Sequence, residues 1–569
     1  MDETRASNGR EPSAGERVVT RLDARLPVTE AGRELLRKVF PDHWSFLLGE
    51  LALYSFVVLL LTGVYLTLFF RPSMNEVVYR GAYLPLDGVR VSEAYASTLR
   101  ISFEVRGGLM IRQIHHWSAL LFASAIGVHL LRVFFTGAFR RPRELNWVIG
   151  VTLFNLALLE GFSGYSLPDD TLSGTGLRIA EGVLLSVPLV GSYLTLFAFG
   201  GEFPGHEVIP RLFTVHVLLV PGLLLALLGA HLTLVVVLKH THWAAPGRTN
   251  RNVVGMPFFP QFLTRTVGLM FAVGGVMALS AFLAEVNPIW RYGSYRPDVV
   301  GTGAQPDWYI GFIEGALRLM PATETRLLGH TVSWNVFLPA LVVPGLLFAA
   351  LYAYPFVERW LDPGTGEHHL CDRPRNRPTR TALGTAGITV YAVLLIAGGN
   401  DVIAYAFELS VNALTVVLRT ALVVLPPVVF VLTRRLCLAL QARDRSRLLD
   451  GDETGRIDQS HDGGFSGHRR PVPEAERYAL LARSAADPVT ALQGAPRHER
   501  VRAAASSWFH RDRVELPSTE RESERMAAVL TAPAHPAPPA VRAPAPAPGG
   551  PLRRLLRRFS PRRGRGTGR

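Results

Sequence analysis

The sequence predicts an all-α membrane protein with eight transmembrane helices, and three features point that way. Mean hydropathy is +0.21 although both ends of the 569-residue chain are polar and rich in arginine, so the middle must be far more apolar than a soluble core. Apolar runs at 51–70, 118–135, 217–238 and 337–351 reach or approach the roughly 20 residues that cross a hydrocarbon core. Arginines cluster at alternate ends of these runs, the bias that short cytoplasmic loops carry.

In order, the spans are read at 50–70, 110–136, 147–163, 212–238, 266–286, 335–355, 381–398 and 404–433. Residues 1–42 are polar and lack the short apolar stretch and small-residue cleavage site of a secretory signal, so the first span is expected to be retained. Arg140, Arg141 and Arg143 follow span two, Lys239, Arg248 and Arg251 follow span four, Arg373, Arg375, Arg377 and Arg380 follow span six, and Arg434 and Arg435 end span eight. All four sites fall on one side, which the positive-inside rule makes the cytoplasm. Both termini are then cytoplasmic, the connections 71–109, 165–210 and 287–334 face outward, and spans two and four both run from outside to inside.

The division expected is a cytoplasmic segment at 1–45, a four-helix region at 46–240, a second membrane region at 241–440 and a basic cytoplasmic tail at 441–569. The tail replaces apolar runs with charged, Ala and Pro residues, and chain this polar buries too little area to offset ordering entropy. It is expected to be largely disordered and dispensable for chemistry, with 551–559 either a basic membrane-surface helix or a solvated charge run. The formal charge of +14 sits in the cytoplasmic loops and this tail, which fits topology and contact with anionic membrane lipids rather than nucleic acid. Cys371 and Cys437 stand outside any CxxC or CxxCH arrangement, which argues against a Cys-ligated iron–sulfur cluster and against covalently attached haem.

Span two carries Arg112, His115, His116, His129 and Arg132, and span four carries Arg211, His216 and His231. Ionisable residues inside a span are costly and point to function, although a single buried histidine is more often a hydrogen-bonded packing residue. Spacing decides between the two. His115 and His129 are fourteen residues apart and His216 and His231 fifteen, and four helical turns take about 14.4 residues, or about 21 Å. Each helix therefore presents two imidazoles on one face, one near each membrane surface, with Pro221 a reason for the extra residue in span four. Because both helices run the same way, His115 and His216 share the outer level and His129 and His231 the inner. Opposed neutral imidazoles suit six-coordinate haem iron, whereas two ligands per level leave half of a zinc tetrahedron empty. The reading is two non-covalent haem b groups in a di-haem four-helix bundle, with His116 a bystander to His115.

Glycines repeat the interval. Gly49 and Gly63 in span one, and Gly150 and Gly164 in span three, are again fourteen apart. Helical glycine costs up to about 1 kcal/mol relative to alanine, so these pairs need a reason: close approach of a porphyrin or tight helix packing. Arg112 and Arg211 at the outer level and Arg132 at the inner are placed to pair with haem propionates, or to anchor at the interface. In the outward connection before span six stands Pro306-Asp307-Trp308-Tyr309, followed by a short helix over 311–320. Alone it reads as a turn with interface aromatics; beside the outer haem, Asp307 and Tyr309 can take and relay the protons of a quinol.

Taken together, the glycine pairs, R-x-x-H and H-x-x-R in span two, GYSLP at 164–168, R-x-x-x-x-H in span four and PDWY resemble the cytochrome b subunit of respiratory cytochrome bc complexes over residues 49–360. The stretches 335–358 and 166–180 are similar to the sixth helix and outer loop of its actinobacterial branch. The resemblance implies eight helices in the membrane of a bacterial cell and a menaquinol:cytochrome c reductase. It also implies a Rieske iron–sulfur subunit and a cytochrome c subunit as partners, a homodimeric complex, and association with an aa3-type oxidase. Three departures stand out. Asp307 replaces the commoner Glu, Asp169-Asp170 replaces Trp-Gly, and the region 40–47 lacks the cysteine of chloroplast-type relatives. The inner quinone site transfers only as the candidates Lys239, His240 and Asp42.

The mechanism implied is bifurcated: quinol beside Asp307 gives one electron to the iron–sulfur partner and one to the outer haem, which feeds the inner haem and a quinone there. Pro306 and Trp308 shape that site. Moving a full charge across the membrane costs about 2.3 kcal/mol per 100 mV, so the inner haem is expected at the higher potential. The rivals are a di-haem anchor of a dehydrogenase or hydrogenase, which would lack the PDWY loop and later spans, and a transporter with broken helices, which gives no reason for histidines at four-turn spacing.

Overall fold

The computed structural model describes residues 32–516 apart from 35, 300–303, 328, 363, 483–487 and 512. Eight helices in it are long and apolar enough to cross a membrane: α1 Leu48–Thr67, α2 Gly108–Thr136, α3 Glu144–Ser166, α4 Val208–Leu238, α5 Phe258–Leu283, α6 Trp334–Leu361, α7 Pro378–Gly398 and α8 Val411–Asp450. All eight expected spans are present. The eighth is placed differently from the sequence reading. Its expected start belongs to a separate helix, Asn400–Ala406, the chain breaks at Glu408 with φ 53°, and the Ser410 side chain then caps α8. At the other end α8 runs well past Arg434 and Arg435, because 436–449 is rich in Leu, Ala and Arg, all strong helix formers.

α1 packs on α2 and α3 on α4, while α5 lies against α1 and α2. Two helices carry a widened π-helical turn just before a proline: Val215–Leu219 ahead of Pro221, and Leu338–Val342 ahead of Pro344. Proline offers no N–H and its ring crowds the preceding turn, so the turn opens and takes in one extra residue. In α4 this turn contains His216 and accounts for its fifteen-residue spacing. On the face opposite the arginines, the short helix Gly311–Leu319 rides on α7. A Cβ on Gly315 would strike the Leu394 carbonyl and the backbone of Gly398, so bare backbones set that contact. Glu314, Arg318, Asn400 and Asp401 brace the same helix: Arg318 reaches Glu314 at 2.5 Å and both Asn400 and Asp401 at 2.8 Å.

At the arginine-rich face Arg380, fully buried, is held between Glu358 of α6 and Asp372, and Arg140 and Arg377 also reach Asp372 at 3.0 and 3.2 Å. The tail departs from the expectation of unpacked chain as far as residue 516. After α8 come a hairpin, Asp452–Gln459 with Phe465–Arg470, and helices α9 Glu474–Leu481 and α10 Arg497–His510. Its average composition hides a few well-placed apolar groups: Leu448, Val472 and Leu480 form a small core, and Trp508 stacks on Phe430 with ring centroids 6.3 Å apart. Arg502 Nε and Ser506 Oγ donate to the carbonyls of Trp360 and Leu361 at 2.8 and 2.6 Å, satisfying the open end of α6. The Pro-Ala tract and the basic stretch 551–559 lie outside the described residues.

A chain ending after Arg447 is therefore expected to keep its eight membrane helices but to unfold at a lower temperature in detergent, since each lost hydrogen bond contributes about 1 kcal/mol and the Leu448 core disappears. Unfolding at the parent temperature would show that the docked tail adds nothing to stability.

Candidate functional site

Helix direction sets which residues meet. α1 runs antiparallel to α2, so Gly49 backs the ring of His129 and Gly63 backs that of His115; an ideal Cβ on either glycine would come to 3.1 and 3.3 Å of a ring carbon. α3 repeats this against α4, with Gly150 behind His231 and Gly164 pressed on His216. The four-turn glycine and histidine spacings are thus one feature. In this structure the missing side chains make room first for the imidazoles themselves, rather than for a group lying directly on the glycines.

At the outer level the rings of His115 and His216 lie 6.2 Å apart between centroids, with their planes at 76°. His115 Nδ1 lies 2.9 Å from Thr62 Oγ1. His216 Nδ1 lies 3.0 Å from the Glu160 carbonyl, 3.2 Å from the Glu160 carboxylate and 3.3 Å from Ser163 Oγ. A ring held through Nδ1–H keeps its Nε2 lone pair free to ligate, the arrangement metal-bound histidines use. At the inner level His129 and His231 are electrostatic neighbours, His129 Nδ1 is buried without a hydrogen-bond partner, and His231 sits beside the Asn146 backbone.

The arginines divide. Arg112 Nη2 donates to the Asn287 carbonyl at 2.8 Å and its Nη1 is buried without an acceptor. Arg132 lies over the Phe46 ring at 4.0 Å with Nη2 3.8 Å from Cys371 Sγ, and its Nε likewise lacks an acceptor. These unpaired donors fit anionic groups such as propionates. Arg211 does not join them: it is exposed and donates to the Phe197 carbonyl.

A cavity of about 280 Å³ links the outer histidines to the loop motif, with His115, His216, Arg112, Glu160, Asp307 and Tyr309 in its wall. Asp307 accepts from Tyr309 Oη at 2.9 Å through one oxygen, and its other lies 3.2 Å from His116 Nε2. His116 is accordingly no bystander; it meets an acid far along the chain, a contact its neighbour's helical register could not reveal. Burial, then the Asp307 charge, pushes the Tyr309 phenol well above its ordinary range, which makes it a donor to Asp307 at neutral pH. Tyr309 also packs on the bare backbone of Gly161. Trp308 is partly exposed and meets Tyr309 edge-on at 5.9 Å, and Pro306 leads the chain into the turn that Ile310 N closes on the Asp307 carbonyl. Glu160, overlooked in the sequence, has one carboxylate oxygen buried without a partner; an acid inside an apolar span was the available signal. The Asp169-Asp170 departure also has a local role. Asp170 caps the helix Thr171–Leu185 in a capping box with Ser173, while Asp169, at φ 53°, has its carboxyl pushed up to about 7 by burial.

The inner-quinone candidates do not converge. Asp42 pairs with Arg265, whereas His240 packs against Phe40 at 4.7 Å between ring centroids, with burial and then the Lys38 charge driving its pKa down to about 3. Lys239 terminates α4 at φ 65°.

Fold and site define a multi-span helical membrane protein whose first four helices hold two levels of paired imidazoles. A family model described as cytochrome b (N-terminal)/b6/petB matches residues 120–294. Cytochrome bc1 complex cytochrome b subunits of Streptomyces coelicolor and Mycobacterium bovis are 54% and 49% identical, covering 84% and 87% of this chain and 88% and 90% of their own. A chain from a solved structure described as a hyperthermophilic respiratory complex III shares the fold, with TM-score 0.53 and 22% identity over 71% of this chain and 98% of that one. The chain belongs to the cytochrome b subunits of cytochrome bc1 complexes. It is a haem-binding membrane subunit of a quinol–cytochrome c reductase.

Replacing His115 or His216 by a non-ligand is expected to remove the outer, lower-potential b-type component first, and replacing His129 or His231 to affect the inner one. Redox titration of each variant reads this. His115 and His231 variants losing the same single component would contradict the pairing.

Proposed function

We propose that the chain binds two haem b groups, one held by His115 and His216 and the other by His129 and His231, and oxidises menaquinol beside Asp307. The single observation carrying this reading is the cavity that contains both outer histidines and the Asp307–Tyr309 pair. When bound, the haems supply one-electron transfer between the two sides of the membrane. Gly49, Gly63, Gly150 and Gly164 leave room for the ligand rings, Thr62 and the Glu160 carbonyl orient the outer pair, and Arg112 and Arg132 receive propionates. Arg211 takes no part.

Asp307 is the proton acceptor. Tyr309 fixes one carboxylate oxygen and His116 approaches the other, so the group is positioned before substrate arrives. Tyr309 keeps its own proton and directs the carboxylate. Trp308 and Pro306 shape the loop around this pair. The arginine-rich face is cytoplasmic, both termini lie on that side, and protons leave on the opposite one. A Rieske iron–sulfur subunit and a cytochrome c subunit act with the chain in a homodimeric complex. The di-haem anchor reading accounts for α1–α4 but gives no role to the short helix that Gly315 seats on α7 or to the acid it presents.

Asp307→Asn preserves size and hydrogen bonding but removes the base, and is expected to slow quinol oxidation by roughly 100-fold, the lower end for a positioned acid or base, with both haem spectra normal. Asp307→Glu should be milder. Quinol oxidation by Asp307→Asn at the parent rate across pH would reduce the acid to a turn residue.

A further inference from the structure

A second cavity, of about 210 Å³, lies at the arginine-rich face, with none of the four paired histidines in its wall. Its wall draws on separate parts of the chain: Arg140 before α3, Trp243 and Asn250 after α4, Arg373 and Asn376 before α7, and Ala479 and Ala482 from the tail. The tail is fixed there by Arg447, which reaches Glu476 at 2.8 Å, and by Tyr478 Oη, which donates to the Arg248 carbonyl at 3.1 Å.

The wall is rich in donors and poor in acceptors. Arg140 is 7% exposed, and its Nη1 is buried without a hydrogen-bond partner, as is Trp243 Nε1. Asn250 uses its oxygen to accept from the backbone N–H groups of His369 and Leu370, which turns its remaining polarity into N–H. Among the described residues no carboxylate lies within ion-pair distance of Arg373. The one acid in the wall, Asp372, is already shared by Arg140, Arg377 and Arg380, whose charges hold it well below the usual carboxylate range against the effect of burial. Just behind, buried Arg143 has neutral acceptors: the Ala138 and His368 carbonyls and His369 Nδ1. Buried donors and cations left in this state are costly, and a ligand that brings several acceptor oxygens and negative charge relieves both. A tetrahedral phosphate has those properties and matches guanidinium donors.

We propose that this cavity binds a phosphate group, with Arg140, Arg373 and Trp243 as its donors and the tail segment around Ala479–Ala482 as its wall. The phosphate comes from an anionic lipid headgroup or from free phosphate, and its binding fastens the tail to the membrane domain.

The test uses the purified complex in phosphatidylcholine nanodiscs and phosphate-free buffer. One arm adds inorganic phosphate; the other raises the mole fraction of phosphatidylglycerol in the discs. In each, the unfolding temperature is followed for the parent, Arg373→Gln and Trp243→Phe. A saturable rise in one arm identifies the source, and half-saturation is expected about tenfold weaker in the variants, the equivalent of one charge-assisted hydrogen bond. A weaker response in either folded variant supports the site. No rise in either arm, or rises in which both variants match the parent, would overturn it.

Discussion

The structure depends on placing a rigid imidazole between two close helices, which is possible only where the facing helix has no side chain. In α1 and α3 that requirement falls on glycines, and because these helices run against α2 and α4, the four-turn interval between histidines must reappear between glycines. Gly49 and Gly63 stand behind His129 and His115, and Gly150 and Gly164 behind His231 and His216. The order is reversed along the chain, as antiparallel packing demands. A single-residue shift would swing an imidazole by about 100° around its helix. The widened turn before Pro221 offsets the one extra residue in α4, so a backbone irregularity maintains the regular arrangement.

The second half of the membrane region then serves to bring one acid to the edge of the first. Asp307 is held by a short helix whose bare backbone lies on α7 and whose Glu314–Arg318–Asp401 contacts tie it to the helix Asn400–Ala406. On the bundle side, Gln113 exchanges hydrogen bonds with the backbone of Val286 and Arg112 donates to the Asn287 carbonyl, fastening α2 to the end of α5. The cavity between these braces is where histidine level and acid meet. Its geometry is a consequence of two rigid attachments rather than of the loop alone.

What was legible in the sequence was periodic. Spans, histidine levels and glycine pairs all repeat at helical intervals, and eight spans were recoverable from length and hydropathy. What was not legible depends on contacts between distant segments. His116 reads as redundant beside His115 until the chain returns 191 residues later with Asp307. Arg211 has the right height for a propionate but turns to the Phe197 carbonyl, a choice that helix height does not determine. Glu160 was visible as an acid in an apolar span but gained meaning only from His216. The start of α8 was lost because the apolar run continues through a break that Glu408 and Ser410 make locally. The tail was misread because composition averages over 441–569, whereas docking needs only Leu448, Val472, Leu480, Ser506 and Trp508 in place.

The central claim is that four histidines at two levels hold two haem groups in one chain. Acid–acetone extraction of the purified complex, followed by pyridine haemochrome quantitation against the amount of this subunit, measures it most directly, since covalently attached haem of other subunits stays with the protein. The account predicts two extractable haem b per copy of this chain, titrating as two components in the reduced-minus-oxidised difference spectrum. One extractable haem per copy, or none, would contradict it.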